Sequence, residues 1–212
     1  MLKNIEWLGH STIKINNQNQ VIYIDPYNIK QDYNDADMIF ITHSHYDHFS
    51  EEDINKVKKE NTNIIITEDV FEKTLSLGFK ESNIITVKPN ESYQIDNIKF
   101  DTIPSYNVNK KFHPKENNWV GYVIDINGVK YYIAGDTDIT DENKMIKCDV
   151  AFLPVGGTYT MDFEEAANLA NIIEPKLVVP IHYGLIVGTL EDAENFKQRV
   201  KETIKCEIMQ NK

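Results

Sequence analysis

Cysteine is scarce. Only Cys148 and Cys206 occur in 212 residues. Two thiols do not make the disulfide framework of a small secreted scaffold. No Cys-x-x-Cys pair is present to hold a structural zinc ion or to cycle between redox states. Both thiols read as free, in a cytoplasmic protein. Long apolar runs are also missing: nothing approaches the roughly 20 residues that cross a bilayer. The stretch from Met1 to Trp7 is too polar and too alternating for a signal peptide, so no membrane partner is expected. Positive charge is short, with 22 Lys and Arg against 33 Asp and Glu, a formal net charge of −11. That balance argues against wide contact with a phosphate backbone, and no nucleic-acid partner is expected. Lys110, Lys111 and Lys115 form the best basic patch and read as a solvated loop. Repeats, low-complexity tracts and Gly/Ser linkers are absent, which favours a single domain over residues 1–212.

Histidine is scarce too, with six in the chain, yet three of the six fall inside Thr42-His43-Ser44-His45-Tyr46-Asp47-His48. Packing alone does not call for that density of imidazole and carboxylate. These donors suit divalent metals such as zinc, manganese or iron. The cluster follows the apolar run Met38-Ile39-Phe40-Ile41, which reads as a buried strand. Alternate positions on an extended chain point to one side, so His43 and His45 can converge on one ion. Ser50 reads as the N-cap of a helix with an acidic first turn. Asp47 and His48 therefore sit where strand gives way to helix, and they can serve a second ion about 4 Å from the first.

Hydrophobic periodicity places the other elements. Strands are expected at 5–8, 12–15, 21–24, 63–66, 84–87, 93–95, 98–103, 120–126, 129–134, 150–153, 177–179 and 206–209. Helices are expected at 51 to about 60, 68–77 (capped by Thr67), 163–173 and 190 to about 202. Asn16-Asn17 and Gln18-Asn19 read as a hairpin turn, and Asn127-Gly128 as another. Ser105 to Asn118 is a polar, aromatic-studded loop of a length that is often functional. Hairpins followed by strand–helix units occur twice, a pattern that two sheets with helices outside would accommodate.

Two further polar clusters follow apolar strands: Gly135-Asp136-Thr137-Asp138 and Pro180-Ile181-His182-Tyr183-Gly184. Ligands bind at the carboxyl ends of strands in open sheets. Alone, Asp136 would be a turn residue and His182 a buried core histidine. With the first cluster they complete a donor set for two ions.

His-x-His-x-Asp-His, then Gly-Asp-Thr-Asp, then Pro-Ile-His-Tyr-Gly resembles the metallo-β-lactamase fold superfamily of metal-dependent hydrolases. Gly9-His10-Ser11 and Ile24-Asp25-Pro26 resemble its short stand-alone branch, which includes ascorbate-6-phosphate lactonase-like proteins. The resemblance implies a four-layer αββα sandwich of mixed α/β and α+β character. It implies that His43 and His45 bind one metal, that Asp47, His48 and His182 bind another, and that Asp136 bridges them. The cofactor is then one or two divalent ions, zinc first, with manganese or iron as alternatives. His10 and Asp25 fit roles orienting the ligands. One departure stands out. Asn107 occupies the place where the family usually has another histidine for the first metal, so either the first site is weak or His113 swings in from the same loop, and His113 is expected near the site.

The expected function is hydrolysis of an ester, lactone or phosphodiester-type bond of a small molecule by a metal-activated water. Asp47 would accept or orient the water's proton. His113, Tyr106 or Tyr183 would supply a proton or touch the substrate. The rival is a metal-stabilised binding or sensing protein without turnover, suggested by Asn107. A homo-oligomer is left open.

Overall fold

A computed structural model describes residues 1–17 and 20–211. The chain divides into two compact units, one of residues 1–88 with 210–212 and the other of residues 89–209.

The first unit opens with β1 (Ile5–Gly9), β2 (Thr12–Asn17) and β3 (Gln20–Ile24). It continues with β4 (Ala36–Phe40), α1 (Glu51–Val57), β5 (Lys58–Thr67), α2 (Phe71–Ser76) and β6 (Ile84–Val87). Its six strands lie in sequence order. β1 to β3 are antiparallel, and β3 to β6 run parallel. On one face Ile39, Ile41, Ile64 and Ile66 cluster with Ile54 and Val57 of α1. Their alternate neighbours Met38, Phe40 and Ile65 are buried as well. Central parallel strands, covered on both faces, give continuous apolar runs of this kind.

The second unit repeats the plan. β7 (Ser92–Ile95), β8 (Ile98–Pro104), β9 (Val120–Ile126) and β10 (Val129–Ile133) form an antiparallel meander. β11 (Val150–Pro154), α3 (Phe163–Ile173), β12 (Leu177–Ile181), α4 (Leu190–Arg199) and β13 (Lys205–Cys206) follow, with β10 to β13 parallel. Asn127 and Gly128 have φ of 55° and 78°, the pair of positive values that a two-residue hairpin turn needs. α3 starts at a capping box in which Asp162 accepts from the Glu165 N–H and Glu165 accepts from the Asp162 N–H. Ala166, Ala167, Ala170 and Ile173 form its buried stripe, joined by Leu169, whereas Phe163 is only half-buried under the Arg199 guanidinium. No helix among the described residues is long and apolar enough to cross a membrane.

Several boundaries differ from the sequence reading. α1 ends at Val57, not near Glu60, because Lys58 is already extended. Thr62 ties that segment to the sheet by donating to the Ala36 carbonyl and accepting from the Lys59 N–H. The helix expected at 68–77 is a 3-10 turn (Glu68–Val70) followed by α2. Thr67 does not cap it, since its hydroxyl donates to the Asp69 carboxylate. α4 stops at Arg199, short of residue 202. The last strand is Lys205–Cys206, not 206–209. After Glu207 donates to the Val178 carbonyl, the next inward position on β12 is Pro180, which has no N–H to extend the ladder. Of the turn expected at 16–19, Asn16 and Asn17 instead extend β2, paired with Val21 and Gln20, and Gln18-Asn19 lies outside the described residues.

Candidate metal centre

In the first unit β3 and β4 are adjacent and parallel, with Ile24 paired to Phe40. Their carboxyl ends therefore lie side by side. Asp25 leaves β3 with φ of 44°, a left-handed conformation that Asp tolerates better than most residues. That turn aims its carboxylate at the loop after β4. One oxygen accepts the Thr42 N–H at 2.8 Å, and the other accepts the Thr42 hydroxyl at 2.7 Å. The second oxygen also lies 2.8 Å from His48 Nδ1. A carboxylate accepts but does not donate, so His48 carries its proton on Nδ1 and presents Nε2 as a lone pair.

Thr42 passes the same constraint to His43. Its single hydrogen goes to Asp25, so the hydroxyl must accept from His43 Nδ1, 3.0 Å away. His43 then also presents Nε2, which lies 3.1 Å from His45 Nδ1. Two zinc–nitrogen bonds of about 2.05 Å at a tetrahedral angle set a donor–donor edge of about 3.3 Å. The pair matches that edge. His10 Nε2 lies 2.9 Å from one Asp47 oxygen, and the Trp7 indole donates to the His10 carbonyl. His43 and His48 are buried, Asp47 is 8% exposed, and His45 is half-buried.

In the second unit Asp136 follows β10, and Ser105, just past β8, donates to both the Ala134 and Asp136 carbonyls at 3.0 Å. One Asp136 carboxylate oxygen lies 3.1 Å from His182 Nε2 and 3.3 Å from His113 Nε2. Both separations again match the tetrahedral edge of about 3.3 Å. All three side chains are at most 4% exposed. Gly156 sits against the loop after β12: a Cβ there would overlap the His182 carbonyl oxygen and approach its Nδ1 to 3.3 Å. His182 itself has φ of 58°. Burial pushes the Tyr183 phenol up to about 12, so it keeps its proton through the neutral range.

Each unit thus gathers its own share of the residues read from the sequence. The first holds His10, Asp25, His43, His45, Asp47 and His48 together, and the second holds Asn107, His113, Asp136 and His182. The donor types, their burial and the donor–donor spacings fit divalent metal ligation in both groups. Asn107 points its amide at His113 rather than standing in for an imidazole. Three further residues matter. Thr42 stood inside the quoted motif with no role given to it. Asp138 stood in the Gly-Asp-Thr-Asp motif with none either. Lys110, read as solvated, places Nζ 2.6 Å from Asp138 Oδ1.

The sequence matches a family described as "Beta-lactamase superfamily domain" over residues 4–182, a span that crosses both units. It is 33% identical over 208 residues to a protein of Nanoarchaeum equitans named a UPF0173 metal-dependent hydrolase, covering 93% of this chain and 92% of that one. A metal-dependent hydrolase candidate from Parabacteroides distasonis superposes with a TM-score of 0.82 at 32% identity, covering 97% of this chain and 93% of that one. Igni18, a metallo hydrolase from Ignicoccus hospitalis, shares the fold with a TM-score of 0.81 at 24% identity, covering 98% and 94%.

Proposed function

Because the chain belongs to the metallo-β-lactamase superfamily and is a metal-dependent hydrolase within it, we propose that it cleaves an ester, lactone or phosphodiester-type bond of a small molecule. His43, His45, Asp47, His48, Asp136 and His182 ligate one or two divalent ions, with zinc the best match to the nitrogen-rich set. His113 joins them as a ligand, since its Nε2 shares the Asp136 oxygen with His182. When bound, such ions acidify a water molecule and polarise the electrophile. The single observation that carries this reading is the recurrence of buried imidazole–imidazole and imidazole–carboxylate edges of 3.1–3.3 Å.

The chain's own groups do the rest. His10 anchors one oxygen of Asp47, and the Asp47 carboxylate orients the water or accepts its proton. Asp25 fixes the rings of His48 and, through Thr42, of His43. We further propose that residues 1–212 act as one hydrolase domain, in the cytoplasm, on a substrate that is neither nucleic acid nor lipid bilayer.

The test is chelation. Purified protein is stripped of metal, then assayed with and without added zinc or manganese on a panel of a lactone, an aryl ester and an aryl phosphodiester. Activity that disappears and returns supports the reading. Folded, metal-loaded protein that turns over no member of the panel favours the binding or sensing role instead.

A further inference from the structure

The neighbours of the Asn107 side chain fix which of its terminal atoms is the oxygen. One terminal atom lies 3.2 Å from an Asp138 carboxylate oxygen and 3.0 Å from the Tyr159 carbonyl. Both of these neighbours only accept, so that atom is the NH2 group. The other terminal atom receives the His113 backbone N–H at 3.1 Å, so it is the oxygen. That same oxygen lies 3.1 Å from His113 Nδ1. An amide oxygen cannot donate, so His113 carries its proton on Nδ1. In the neutral ring Nε2 is then the lone pair, 3.3 Å from the Asp136 carboxylate oxygen it would share an ion with.

The support extends outward. Asp138 accepts from the Lys110 ammonium at 2.6 Å and from the Val108 N–H at 2.9 Å. Lys110 also lies 3.5 Å from Glu165. The loop closes on itself, with the Asn107 N–H donating to the His113 carbonyl at 2.8 Å. Asn107 and His113 are 8% and 1% exposed, and Lys110 is the half-buried outer end of the chain.

We propose that Asn107, itself held by Asp138 and Lys110, is a positioning residue that locks His113 in the Nδ1–H tautomer and turns Nε2 toward the metal. The proposal rests on the metal-ligand role given to His113 above. A residue that looks like a poor substitute for a lost imidazole instead prepares an imidazole six positions on. Orienting partners of this kind are worth about 10- to 100-fold in metal affinity.

Two measurements on the whole protein test it. The first records the ring nitrogens of His113 in metal-free, nitrogen-15-labelled protein, assigned with His113→Gln. The Nδ1–H tautomer is expected, and the Nε2–H tautomer overturns the proposal. The second titrates zinc against a competing chelator. Asn107→Leu should weaken one zinc equivalent about 10- to 100-fold, while Asp138→Asn, which leaves the Tyr159 and His113 anchors in place, changes it much less. Folded Asn107→Leu that binds every equivalent as tightly as the unchanged protein overturns it. Should Asn107→Leu fail to fold, the tautomer measurement decides alone. Protein that shows the Nδ1–H tautomer yet takes up neither zinc, manganese nor iron refutes the ligand role given to His113 and leaves the tautomer lock standing.

Discussion

Asp25→Asn separates metal affinity from folding, and the structure says why. The substitution keeps the side-chain shape and tolerates the φ of 44°. It replaces one acceptor oxygen by a donor. Three donors now face the carboxylate: the Thr42 N–H, the Thr42 hydroxyl and His48 Nδ1. In one orientation the new amide oxygen faces the Thr42 N–H and the NH2 faces the other two groups. Thr42 then accepts and passes its own hydrogen to His43 Nδ1, and His48 Nδ1 becomes an acceptor. Every hydrogen bond is made, but both imidazoles now carry their protons on Nε2. The metal-free protein should adopt this arrangement and lose no more than about 1–2 kcal/mol, the difference between charged and neutral hydrogen bonds.

Metal ligation needs both Nε2 lone pairs back. The amide must turn over, which sets its NH2 against the buried Thr42 N–H. An unsatisfied buried donor costs about 1–3 kcal/mol, and about 1.4 kcal/mol is tenfold in affinity. Asp25→Asn should therefore bind zinc about 5- to 150-fold more weakly, while its urea midpoint in chelator falls by no more than about 1 M. Chelator-competition titrations and urea melts of the same preparations measure both. A folded variant that binds zinc within about twofold of the parent refutes the chain of tautomers from Asp25 to His43 and His48.

Other substitutions probe the second unit. His182→Asn, chosen because Asn tolerates the φ of 58°, should abolish turnover while circular dichroism stays unchanged; retained activity counts against the ligand set. Asp136→Asn should do the same and reduce zinc stoichiometry, read by elemental analysis. Gly156→Ala forces the His182 carbonyl to move, so activity should fall at least tenfold although no chemical group is lost; unchanged kcat/KM would show that the loop after β12 yields without disturbing the imidazole. Lys115, 2.7 Å away, holds the Glu142 carboxyl down at about 2, from an ordinary 4.5. A depressed folded value adds stability above pH 4.5 that is lost as pH falls toward 2. The stability gap between the parent and Glu142→Gln should therefore be small but present at pH 7 and shrink on acidification, with urea melts at both pH values as the check. A gap that widens in acid contradicts the pairing.

Strand positions, the turn at Asn127-Gly128 and the clustering of metal-type donors were legible because each leaves a local mark. The runs 38–41 and 63–66 are apolar and short, Asn127-Gly128 marks a turn, and three histidines crowd into one loop. Helix ends were less legible. Lys58 and Lys59 look like helix surface, and only the bonds from Thr62 to Ala36 and Lys59 pull that segment into β5. The contact between Asn107 and His113 was hidden for a similar reason. Position along the chain put Asn107 where an imidazole is usual. The fold instead closes the loop so that residue 113 lies beside residue 107, and no periodicity announces a closure made by the Asn107 N–H and the His113 carbonyl.

Asp25 and His10 were named from the resemblance as orienting residues, but which ring or carboxylate each one meets was not legible, because they follow different strands from the residues they touch. Asp25 and His43 are far apart along the chain, yet one parallel register pair, Ile24 with Phe40, sets their loops side by side. That pair lies where the first sheet changes from antiparallel to parallel. In the second sheet the same change occurs between β10 and β11, and Asp136 leaves β10 at that point. A parallel pair sets two carboxyl ends side by side at one edge of the sheet. A carboxylate leaving one such end can reach backbone and imidazole donors leaving the next. The strand runs legible in the sequence fix the lengths of the parts, but the register fixes which carboxylate meets which ring. Ring orientation follows from that meeting, and with it the direction in which each Nε2 is offered.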